Sequence, residues 1–64
     1  MSKITFINCK VTANNKEQNY TDFHVELESI ESLNLNTESR LCIMKMKDGT
    51  GITVQYYAPN NVVM

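Results

Sequence analysis

Asp22, His24, Glu26 and Glu28 are the side chains best equipped for chemistry in this 64-residue chain. They recur at every second position. On a strand, such residues share one face at intervals of about 7 Å. That spacing suits a carboxylate pair or a His–carboxylate dyad that moves protons. A hydrolase built on Asp22, His24 and Glu26 is one reading of the pattern. The intervening residues give another. Phe23, Val25 and Leu27 alternate with the acidic set, as on a half-buried strand with a solvated outer face. No candidate nucleophile and no glycine-rich phosphate cradle accompanies the cluster, and so short a chain offers little depth for a catalytic pocket. The expectation is a protein that is not an enzyme.

Lys45, Lys47, Thr53, Gln55 and Tyr57 form the second candidate site. If Met44, Met46, Ile52, Val54 and Tyr56 face a core, these five share the opposite face. Two lysines beside an exposed tyrosine suit phosphate contact with base stacking. The same face suits a protein partner, for which an outward tyrosine is a frequent anchor. Cross-strand pairing of the lysines with the acidic strand produces the pattern without any ligand. Overall charge does not favour nucleic acid: the net charge is −1 and the pI about 5.6.

Metal and cofactor chemistry finds little support. His24 is the only histidine, and Cys9 and Cys42 are the only cysteines. A zinc site needs four ligands at recognisable spacing. No cofactor is expected. Gly49-Thr50-Gly51 lacks the Lys-Ser/Thr pair and following helix of a phosphate loop. The chain shows no leader-like apolar region and no apolar run of membrane-spanning length. Cytoplasmic location is therefore expected, with both cysteines reduced.

The elements that position these groups read as strands. Composition is globular, at 42% apolar and 20% charged, so the whole chain, 1–64, is expected to be one small domain. Lys3 to Thr12 is rich in Ile, Thr, Phe and Val. Its alternation slips once: Ile4 and Phe6 share one parity, Ile7, Cys9 and Val11 the other. A bulge near Phe6-Ile7 brings both sets inward; otherwise the strand is buried on both faces. Ala13 to Tyr20 reads as a long polar loop and 21–28 as the second strand. Segment 29–37 reads equally as one helical turn or a bent strand. A hairpin follows, with strands at 39–48 and 52–58. A three-residue loop, Gly49-Thr50-Gly51, would pair Met46 with Val54 and Met44 with Tyr56, with Gly51 left-handed. Val62-Val63-Met64, beyond the strand-stopping Pro59, is a candidate edge strand.

The predicted fold is all-β: a small antiparallel sheet or partly open barrel of four to five strands built from two hairpins. The expected core is Ile4, Phe6, Phe23, Val25, Leu27, Met44, Met46, Ile52, Val54 and Tyr56. Ile7, Cys9, Val11, Leu41 and Ile43 remain apolar on the other parity. A thin sheet cannot bury both sets, which points to self-association as a dimer or higher oligomer. The leading functional expectation is a non-catalytic protein-binding module. An accessory protein of a phage or mobile element, inhibiting or regulating a host protein by occlusion in the host cytoplasm, is one form of it. The asparagine-, lysine- and isoleucine-rich usage fits an AT-rich genome. A small single-stranded nucleic-acid-binding domain is the alternative, and a structural subunit of a larger assembly the next.

Overall fold

The computed structural model describes residues 2–64. It is an open antiparallel sheet of six strands: β1 (Lys3–Ala13), β2 (Lys16–Glu26), β3 (Ile30–Asn36), β4 (Leu41–Met46), β5 (Gly51–Tyr56) and β6 (Val62–Val63). The order is β2-β1-β5-β4-β3, with β6 beside β1. The all-β expectation holds, but with three hairpins rather than two. The break in the ring lies between β2 and β3, which a 3₁₀ turn at Leu27–Ser29 joins. Segment 29–37 is thus mostly strand, and the helical turn before it ends at its first residue, Ser29.

Asparagine places the first hairpin. Asn14 and Asn15 both take positive φ, 53° and 62°, the pair of left-handed residues that a two-residue hairpin turn needs. Asparagine tolerates that region better than most side chains. The polar stretch after Ala13 is therefore not a long loop: β2 resumes at Lys16 and pairs with β1 along its whole length. Strand propensity understates this segment because its stability comes from pairing.

Asn8 resolves the slip in β1. Its φ is 53°, and the inward set changes parity across it: Ile4 and Phe6 before, Cys9 and Val11 after, all buried. β2 changes parity at the same level, with Val25 buried and Phe23 and Tyr20 partly buried. The register is the same on both sides of Asn8, so both strands accommodate the switch together. The bend lets the opposite edge of β1 take two partners. Thr5 and Phe6 pair with β6, and Cys9 through Ala13 pair with β5. The tail is thereby an edge strand of this chain, entered through a Pro59–Asn61 turn whose Asn61 Oδ1 accepts the Tyr57 and Ala58 N–H groups.

One core results. Ile4, Phe6, Cys9, Val11, Val25, Cys42, Met44, Val54 and Tyr56 are buried, and the Phe6 and Tyr56 rings lie 6.2 Å apart. Leu27, expected inside, is 37% exposed because it sits in the 3₁₀ turn. Phe23, Met46 and Ile52 are partly buried around the core. The switch at Asn8 takes Cys9 and Val11 out of the apolar surplus, leaving Ile43 as its most exposed member.

Neither cysteine is paired. β5 runs between their strands, with Cys9 opposite Tyr56 and Cys42 opposite Val54. Two strand spacings put the Cα atoms about 10 Å apart, beyond the roughly 7 Å that a disulfide spans.

The β4–β5 register departs from expectation while keeping its parity. Met44 faces Ile52 rather than Tyr56, and Val54 faces Cys42 rather than Met46. The loop is Lys47-Asp48-Gly49, closed by the Met46 N–H donating to Thr50 O at 2.8 Å. Gly49, not Gly51, holds the left-handed position, φ 94°. Asp48 supports the turn: its Oδ1 accepts the Thr50 N–H at 2.9 Å, an Asx turn.

Candidate functional site

The pairings assemble an outer face from all five long strands. One row runs Asn34, Ile43, Thr53, Thr12, Glu17; the next runs Asn36, Leu41, Gln55, Lys10, Asn19. Side-chain alternation puts Leu35, Cys42, Val54 and Val11 on the other side. The expected site residues fall as follows. Lys45, Thr53 and Gln55 lie on this face, Lys45 exposed and the other two half-buried. Lys47 lies in the turn at one end, where its backbone N–H donates to Ser29 O at 2.9 Å. Tyr57 lies past the other end of β5, 57% exposed. Lys47 and Tyr57 are thus separated by the length of β5, about 20 Å for six residues, and do not form one contact patch.

The charges of the face are largely paired. Lys45 Nζ lies 3.5 Å from Glu31 Oε2, and Lys10 Nζ lies 3.7 Å from Glu17 Oε2. The partner of Lys45 is on β3, not on the acidic strand expected to supply it. Such exposed pairs contribute little to stability. Their consequence is electrostatic: both cations standing on the face have a carboxylate beside them. Its most exposed aliphatic side chain is Ile43, 56% exposed, on β4 between Asn34 of the β3 edge and Thr53 of the central strand β5. Ile43, Thr12 and Lys10 were not among the expected site residues. Local alternation already set their side chains outward, but the β1–β5 pairing that joins them spans some 40 residues of sequence.

Asp22, His24 and Glu26 are exposed on β2 opposite Ile7, Thr5 and Lys3. His24 Nδ1 is 2.8 Å from Thr5 Oγ1, so the imidazole is engaged by a hydroxyl rather than by Asp22 or Glu26. Glu28 is in the 3₁₀ turn, apart from the other three. It lines an open groove of about 510 Å³ with Met46, Lys47, Asp48 and Ile52. Among the described residues no three His, Cys, Asp or Glu side chains cluster closely enough to hold a metal ion. The thiols are poor nucleophiles: burial pushes Cys42 up to about 11, and burial with the nearby Asp22 charge raises Cys9. Asp48 is held below the usual carboxylate range by the Thr50 hydrogen bonds.

The chain matches no family model, no curated protein and no solved structure. Its geometry therefore carries the functional argument. Among the described residues no helix is long and apolar enough to cross a membrane.

Proposed function

We propose that this protein is a non-catalytic protein-binding module whose contact surface is the part of the outer face around Ile43. The observation that supports this is an exposed aliphatic side chain on a broad sheet face whose two lysines already have carboxylate partners. Protein interfaces bury an apolar centre within a polar rim and deplete charge at the core. Thr12, Thr53, Asn34 and Gln55 supply neutral hydrogen-bonding groups around Ile43, and Tyr57 stands at the rim. Binding would act by occlusion, covering a partner's working surface, as an inhibitor or regulator encoded by a phage or mobile element does in its host's cytoplasm.

Binding of single-stranded nucleic acid is the competing use of Lys45, Lys47 and Tyr57. It needs free cations along a track of aromatic platforms, whereas these lysines are separated from Tyr57 and Lys45 is paired. Two measurements test the proposal together. Fluorescence titration with random single-stranded DNA and RNA, at low and physiological salt, should give no salt-sensitive binding. Affinity capture from the native host should retain a protein that Ile43→Arg loses and Lys16→Ala keeps. Salt-sensitive binding weakened by Lys45→Ala and Tyr57→Ala would overturn the proposal, because phosphate contacts release counterions.

A further inference from the structure

The sheet has two long free edges, and only one is protected. Among the described residues β2 pairs only with β1 and β3 only with β4. β2 carries Lys16, Glu17, Asp22, His24 and Glu26 along its length, the charges with which proteins discourage edge pairing. β3 runs Ser32-Leu33-Asn34-Leu35-Asn36 without charge, proline or irregularity; its one register shift lies before Ser32. Leu33 at this edge is 39% exposed.

The backbone orientation of β3 follows from its neighbours. Met46 and Tyr56 donate their N–H groups to Thr50 O and Arg40 O, so even-numbered residues at this end of the sheet bond across the β4–β5 pair. Antiparallel alternation then turns Leu41, Ile43 and Lys45 toward β3, where they meet Asn36, Asn34 and Ser32. Leu33 and Leu35 are left with N–H and C=O groups aimed at the open side.

We infer that this edge pairs with the same edge of a second copy of the chain, antiparallel, about a two-fold axis at Asn34. The register is self-complementary. Leu33 meets Leu35 of the second copy twice over, giving about four backbone hydrogen bonds from two close pairs. The four leucines cover one another on the inner face. Asn34 meets Asn34 on the outer face, and Ser32 meets Asn36, so no like charges oppose. The shift before Ser32 stays outside the paired segment. The two outer faces become one continuous surface carrying two copies of Ile43.

Sedimentation equilibrium and a cross-link test this register. The wild-type chain should show twice its 7.3 kDa mass, and Leu33→Lys should raise the dimer Kd at least about tenfold while remaining folded by circular dichroism. Asn34→Cys should form a symmetric intermolecular disulfide under mild oxidation. The non-hydrogen-bonded pair at the axis has Cα atoms about 4.5 Å apart, within disulfide range, and the native thiols are buried. Thr53→Cys, on the face but away from the edge, should cross-link far more slowly. A wild-type chain that stays monomeric up to about 1 mM would overturn the inference. So would an Asn34→Cys chain that cross-links no faster than Thr53→Cys, an outcome that stands even if Leu33→Lys fails to fold. Loss of the dimer in Leu33→Lys with partner capture intact separates this edge from the Ile43 face.

Discussion

The two halves of β1 have nearly the same composition and different jobs. Before Asn8, Ile4 and Phe6 point inward and the strand lies between β2 and β6. After Asn8, Cys9 and Val11 point inward and it lies between β2 and β5. One residue in the left-handed region separates the halves. The difference shows how a chain this short encloses a core. A straight strand has one inward parity and would leave half its apolar residues outside. A strand that changes parity midway folds its first half over the sheet to which its second half belongs.

If the two halves share one core, removing either should unfold the whole molecule. Phe6→Ala is the largest expected effect, about 3–5 kcal/mol, comparable with what a core this size supplies in total. Urea denaturation should find it largely unfolded in water. Val11→Ala should weaken both halves together, so that tyrosine fluorescence and backbone circular dichroism lose structure in a single transition. Separate transitions would show that the halves are independent.

The junction itself gives the next effect. Asn8→Val forces a β-branched residue to a φ of 53°, at a cost of about 1–3 kcal/mol. Asn8→Gly should match or exceed wild type in thermal melting. Equal destabilisation by both would mean that the asparagine side chain, rather than its backbone conformation, holds the junction.

The cysteines sharpen the comparison through pH. Cys42 is enclosed on β4, and burial favours its neutral thiol, raising its value from the ordinary 9.0 to about 11. Its contribution is therefore complete below the unfolded value and is lost as pH rises through the folded one. The urea midpoint should vary with pH as it does in Cys42→Ala up to about pH 9 and fall more steeply above it than in Cys42→Ala. Cys9, at the junction, should react with a thiol reagent before Cys42 does in the native state.

The smallest effect belongs to the turn. Gly49→Ala places a Cβ at φ 94° with open space around it, so only backbone strain opposes it. A loss of about 1 kcal/mol is expected. Asp48→Asn should remove the part of the acid-range pH dependence that Asp48 contributes. Because the Asp48 carboxylate is held low, its stabilising effect is present above the unfolded carboxylate value and is lost as pH falls through the folded one.

Much of this fold is legible residue by residue. Alternation assigned Met44, Met46, Ile52, Val54 and Tyr56 to one face and Lys45, Thr53 and Gln55 to the other, because side-chain direction in a strand is local. The slip between Phe6 and Cys9 announced a parity switch near its actual place. Register was less legible. Sliding β4 against β5 by two residues at a time preserves the faces, so alternation cannot choose between registers; the left-handed Gly49 and the Met46–Thr50 backbone bond mark the one adopted. The start of β2 was hidden because Lys16 to Asn19 is polar on both faces and is strand only by virtue of its partner.

The sequence by itself determined that this is a small β protein, where its turns fall within a few residues, and which side chains share a face. Those properties depend on backbone preferences and a two-residue period, which operate within a few positions. Tertiary structure alone decided that β1 lies between β2 and β5, that Ile43 stands exposed on a face built from all five strands, and that β3 is left with an open edge uncharged from Ser32 to Asn36. Each depends on pairings between segments distant in sequence, whose free energy is set by the whole packed sheet rather than by any one segment.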